Sequence, residues 1–238
     1  MLVPGWIRRC FFALLLVAPG AVFSQAGKTA PGRQWTAGFR LTSCDFAPAG
    51  RLEYFILEPG YRLILEGREK QPVRLIVTVM PETRNVAGIE TRVVEEREYH
   101  AGKLAEVSRN FLAICKQNGG LFYFGEEVDI YRDGKIVSHE GSWRAGEKNY
   151  KAGLLMPGLP LLGARYYQEV APGMAMDRAE ILALDAVVKT AAGKFDRCLK
   201  VEETTPLEPG TKEYKWYAPG IGLVRDGNLY LVQYGPKH

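Results

Sequence analysis

From Tyr54 to the C terminus, short runs rich in β-branched and apolar residues follow one another, each cut off by a turn. Tyr61–Glu66 (YRLILE) and Val73–Met80 (VRLIVTVM) are the clearest, and runs at 86–99, 104–116 and 121–124 follow. Later runs lie at 165–170, 179–190, 195–205, 212–218 and 229–234, separated by Pro172-Gly173, Ala192-Gly193, Pro209-Gly210 and Asp226-Gly227. Residues of this kind fit a pleated, half-buried surface, and the turn residues between them stop a helix from forming. No long amphipathic segment intervenes; Asp177–Ala186 (DRAEILALDA) is the one stretch whose helix formers allow a short helix instead. Turns at this spacing predict an all-β antiparallel meander, and so many strands must curl, close or fold on themselves. The expected architecture is a curved half-barrel or barrel, with a two-sheet sandwich as the alternative.

The first 26 residues carry a different message. Met1–Arg9 ends in two arginines, Cys10–Phe23 is apolar, and Ser24-Gln25-Ala26 places small residues three and one before a cut. A basic end, a short apolar core and a small-x-small exit read as a secretory signal peptide. The apolar run is too short to span about 30 Å of hydrocarbon, and Pro19-Gly20 breaks it. Arg8-Arg9-Cys10-Phe11-Phe12 partly matches a twin-arginine signal, without the usual Ser or Thr ahead of it or Lys behind. The expected product is exported to the periplasm or beyond, without a transmembrane anchor. It has a flexible segment at 27–38 and one β-sheet domain at 39–238.

Formal charge is +4 over 238 residues, with basic and acidic side chains interleaved. No basic stripe suggests nucleic acid. Cys44, Cys115 and Cys198 remain after the leader. Three thiols allow one bridge at most within a chain, and no Cys/His spacing suggests zinc.

Asp133-Gly134 predicts a tight hairpin. Pairing outward from Arg132 and Lys135 sets Ile130 against Val137, Val128 against His139, Asp129 against Ser138 and Glu127 against Glu140. Opposed like charges about 5 Å apart are unfavourable, so Glu127, Asp129 and Glu140 need a counter-charge. Solvent could screen them, an arginine such as Arg92 or Arg109 could pair with them, or a divalent cation such as calcium could bind them. The same acids with His139 define the rival reading, a hydrolytic or metal-dependent enzyme. No GxSxG or HExxH motif is present.

Aromatic residues cluster along the runs, and their ordinary role is core and cross-strand packing. A curved sheet also offers a concave face on which they can line a ligand. The segment 152–164 (AGLLMPGLPLLGA) is apolar but carries Pro157 and Pro160, so it is expected as a crossing loop over one end of the sheet. Leu154 and Met156 of that loop, with Phe122, Phe124 and Tyr166 of the sheet, are the candidate ligand-binding residues.

Several phrases resemble a group of bacterial exported proteins. These are Ala192–Lys200 (AGKFDRCLK), Glu203–Gly210 (ETTPLEPG) and Glu213–Val224 (EYKWYAPGIGLV), with Phe124–Gly134 and His139–Trp143. The resemblance spans 39–234 and implies a secreted β-sheet protein; it carries over no catalytic residue. The AGxF strand followed by WYAPGIGLV is also similar to open β-barrels of envelope lipoprotein carriers, which implies by analogy the binding of apolar ligands. The expected function is therefore non-catalytic binding of an apolar small molecule, a lipid or an envelope protein. A structural envelope protein is the third alternative.

Overall fold

A computed structural model describes residues 34–236. The leader and most of the segment 27–38 lie outside the described residues. Thirteen strands form one continuous antiparallel sheet. In chain order they are β1 (Tyr61–Arg68), β2 (Pro72–Val86), β3 (Ile89–His100), β4 (Lys103–Cys115), β5 (Leu121–Arg132), β6 (Lys151–Met156) and β7 (Arg165–Tyr167). Then come β8 (Glu169–Val170), β9 (Arg178–Thr190), β10 (Gly193–Thr204), β11 (Glu213–Ala218), β12 (Gly222–Asp226) and β13 (Leu229–Pro236). The spatial order is β7-β9-β10-β11-β12-β13-β1-β2-β3-β4-β5-β6-β8. The two ends of that order, β7 and β8, are neighbours in the chain, joined through Gln168. The sheet therefore curls into a nearly closed barrel with one unsealed seam. The expected barrel is what the chain forms, and the sandwich is not.

The exposed edge of β7 is covered rather than left open. Thr36 donates its N–H to Arg165 O (3.0 Å) and accepts from Tyr167 N (2.8 Å). Trp35 packs edge-on against Tyr167, and the Arg178 guanidinium lies 4.4 Å over the Trp35 ring. An occupied edge cannot recruit a strand from another chain. The described end of the entry segment is thus docked.

Cys44 and Cys115 form a disulfide, and Cys198 is a buried free thiol. The bridge fixes the segment around Phe46–Ala47 along β4. Asp45 and Gln117 add two hydrogen bonds beside it, at 2.8 and 2.7 Å. Phe39 and Phe46 then stand edge-on against Phe122, and Phe46 against Phe124.

The strand expected at 179–190 forms, its helical alternative does not, and two other local expectations are corrected. Asp177–Ala186 is not helical: from Arg178 on it belongs to β9, paired along its length with β10. Ladder bonding to two neighbours overrides the helix propensity of Ala, Glu and Leu. The first half of 152–164 is not a loop but β6, in which Leu154 lies opposite Phe122. Only the half with both prolines leaves the sheet.

The acidic hairpin slips by one residue. Arg132 faces Lys135 and Tyr131 faces Ile136, but Ile130 then faces Ser138 rather than Val137. Ser138 ends the short strand, its Oγ accepting from Glu140 N at 3.0 Å. Glu127 consequently does not oppose Glu140. Gly125 makes the break that joins the runs at 121–124 and 127–132 into one strand. Its φ is +139°, and a Cβ there would lie 2.4 Å from Trp143 O.

Candidate functional site

The register places side chains in rows around the barrel wall. One row reads Leu63, Val77, Glu96, Ser108 and Val128 across β1 to β5. The next reads Leu65, Leu75, Glu98, Glu106 and Ile130. Across β10 to β13 a third reads Val201, Lys215, Asp226 and Leu229. Apolar residues dominate these rows at β1 and β2, while buried carboxylates lie on β3 to β5 and again on β10 and β12. Glu96, Glu98, Glu106, Glu126, Glu203 and Asp226 are all buried, and Lys215 is 0 % exposed.

These groups meet across the lumen. Lys215 Nζ donates to the Glu203 carboxylate, which also accepts from Gln168 Nε2 at 2.9 Å. Gln168 is the residue joining β7 to β8, so this bond ties the seam to the interior. His100 contacts the Glu98 carboxylate, and Tyr123 donates to Asn110. The charges of Lys215, Asp226 and Glu203 act on Glu96 although five steps of the sheet separate β3 from β11. Only a shared interior brings them that close.

Burial raises the pKa of Glu96 to about 8, with Lys215 opposing and Asp226, Glu98 and Glu203 adding to the rise. Burial likewise lifts Asp226 to about 6 against the pull of Lys215. Glu126 is held well above the carboxylate range by burial, opposed by a hydrogen bond with Tyr123. Burial alone would lower the pKa of Lys215, but Glu203, Asp226 and Glu213 together hold it above the ordinary lysine value.

These shifts fix a pH dependence. The folded chain keeps protons on Glu96 and Asp226 that the unfolded chain releases near 4.5 and 3.8. The stability carried by these carboxyls is complete below those values and is lost as pH rises through about 6 and then about 8. The urea midpoint should therefore fall between about pH 5 and pH 8, and Glu96→Gln should flatten the slope. A midpoint that climbs through this range would contradict the assignment.

One pocket opens onto this interior. Its walls include Ile56, Leu63, Val77, Val79 and Leu223, with Tyr61 and Tyr217, and Phe55 and Ile221 are half-buried at its rim. Its one acidic lining residue is Glu96, which is 5 % exposed. Glu96 Oε2 has no hydrogen-bond partner among the described residues. Within the pocket the centre of a water-sized group has about 20 Å³ to occupy, and all the space between the walls, open solvent at the mouth included, is about 410 Å³. Tyr61 OH donates to Ile221 O at 2.9 Å and steadies the rim. A second hollow of about 530 Å³, over Glu66, Arg74 and Tyr99, is a shallow surface feature. The Arg74–Glu66 pair beside it is half exposed.

The residues singled out from the sequence lie elsewhere. Phe122 and Phe124 are filled in by Phe39 and Phe46. Leu154 and Met156 sit in β6 beside β5, and Tyr166 is buried with its hydroxyl unpartnered. None of the five lines the pocket. Leu159, Leu161 and Leu162 are 75 %, 60 % and 68 % exposed, so the proline-stiffened loop projects outward instead of covering the sheet.

Nor do the hairpin acids converge. Asp129 pairs with Arg109 (3.0 Å) and with His139 (2.9 Å), Glu127 pairs with Arg144, and Glu140 is exposed. Arg92, the other arginine considered, instead donates to backbone carbonyls, at 2.8 Å to Pro48 and 2.6 Å to Pro81. No group of three His, Cys, Asp or Glu side chains able to hold a metal ion occurs among the described residues.

Sequence reasoning missed Glu96, Lys215 and Asp226. The usable signal was parity: Glu96 and Glu98 share a face with Val94, and Lys215 shares one with Tyr217. Compared with protein-family models, curated proteins and solved structures, the chain matches none.

Proposed function

We propose that this chain is an exported, non-catalytic binding protein that takes a small apolar molecule into the pocket between β1, β2 and the β11–β12 turn. The observation that carries the reading is the pocket itself, a largely apolar lining with one buried, unpartnered carboxyl facing into it. Apolar walls supply affinity, and a few placed polar groups orient what binds. The leader of residues 1–26 supports an exported location. The hairpin acids support a structural role, since Glu127 and Asp129 already neutralise Arg144 and Arg109.

An environment-sensitive apolar dye, N-phenyl-1-naphthylamine, tests this reading. Its fluorescence should rise on binding, and Leu63→Trp, which fills the pocket, should weaken binding by about tenfold or more. Leu159→Ser, on the exposed loop, should leave it unchanged. A folded Leu63→Trp variant that binds the dye as well as the parent protein would overturn the reading.

A further inference from the structure

We infer that the molecule taken by this pocket carries a protonated amine, with Glu96 as its counter-charge. The inference rests on the apolar-binding reading above and names the polar end of the ligand. Glu96 is deeply buried and faces the pocket, and its Oε2 has no hydrogen-bond partner among the described residues. The nearby cation, Lys215, is already engaged with Glu203. Around Glu96 the lumen holds Asp226, Glu98 and Glu203 as further acids. Negative groups therefore outnumber positive ones on this wall, and a cation entering the pocket is attracted while an anion is repelled.

Shape and ring chemistry agree with charge. The roughly 20 Å³ open to the centre of a water-sized group suits one ammonium-sized head, while the apolar walls suit a hydrocarbon tail. Tyr61 and Tyr217 also line the pocket, and aromatic faces attract ammonium ions. A primary amine has a pKa near that of lysine, about 10.4, so it enters charged. Where Glu96 is still protonated, pairing releases its proton to solvent, and amine binding tightens as pH rises. The charged and titratable groups facing Glu96 in that titration are Lys215, Asp226, Glu98, Glu203 and Glu126, with Tyr61, Tyr123 and Tyr217.

The experiment compares decylamine, decanol and decanoate as competitors of the bound dye on the unmodified protein, at matched chain length and below micelle formation. Decylamine should displace the dye at about one-tenth the concentration decanol needs, and decanoate should be the weakest. Glu96→Gln should weaken decylamine by about tenfold and leave decanol within about twofold. Decylamine should also tighten between about pH 6 and pH 8 while decanol does not. Equal binding of amine and alcohol on the unmodified protein overturns the amine assignment and leaves apolar binding standing, whatever becomes of the variant. Tightest binding by decanoate overturns it in the same way. If the dye itself does not bind, both this inference and the reading beneath it fall.

Discussion

Lys215→Met should be the most damaging single substitution in the barrel. It removes a fully buried cation from among Glu203, Asp226 and Glu96, which line up around it across the lumen. Deleting one partner of a buried charge pair costs about 3–5 kcal/mol, because the partner is left charged and desolvated. The acids have a way out: they can take up protons. The loss should therefore be greatest near pH 8 and shrink towards pH 5, where Glu96 and Asp226 are neutral. Adding Glu203→Gln should recover part of the loss at the higher pH, by removing the carboxylate that Lys215 satisfies. Urea unfolding followed by tryptophan fluorescence reads both effects. An unchanged midpoint at pH 8 would mean that Lys215 is not the counter-ion of this cluster.

The second large effect belongs to the disulfide. Cys44 and Cys115 are 71 residues apart in sequence. In the chain-entropy account, closing a loop of that length stabilises the fold by about 4 kcal/mol. Cys44→Ala/Cys115→Ala should lower stability by roughly that amount in urea titration. It should also loosen Phe39 and Phe46 from Phe122 and Phe124, and so expose apolar surface that binds dye away from the pocket. In the unmodified chain, of Cys44, Cys115 and Cys198 only Cys198 should react with a thiol reagent, and only after unfolding. Reaction of all three without reductant, or a double variant as stable as the parent protein, would contradict the bridge.

What was legible in the sequence was whatever depends on local chemistry. Runs such as YRLILE and VRLIVTVM lie in strands, and Asp133-Gly134 turns with positive φ at both residues. The limit of one bridge at most, leaving at least one thiol free, also came from counting. Which thiol pairs was not legible, because it depends on where the segment around Phe46 docks on β4. The hairpin register failed for a related reason. Ser138 and Ser142 bond backbone groups at the strand end, and that local competition pulls the pairing one residue out of line.

The candidate site was the least legible part. Its acids and Lys215 lie on strands β3, β4 and β5 and on β10, β11 and β12, which closure of the barrel sets facing each other. A charged residue in a strand reads as a solvent-facing one when only its own strand is considered. Lys215 in EYKWYA shares a face with Tyr217, but alternation within one strand does not say which face points inward. Only the closure through β7, Gln168 and β8 makes that inner wall a lumen. For the aromatic candidates the cover was what could not be read: Phe122 and Phe124 are rings in a strand, packed beneath Phe39 and Phe46 of a segment distant in sequence.

The barrel is proposed to hold a small apolar molecule above Glu96. Native mass spectrometry of the protein purified without detergent from the cells that make it tests this most directly. The predicted result is a species heavier than the polypeptide by one small organic molecule, removed by solvent extraction and absent from the Leu63→Trp variant. The bare polypeptide mass for the unmodified protein, with the Leu63→Trp variant indistinguishable from it, would contradict the claim.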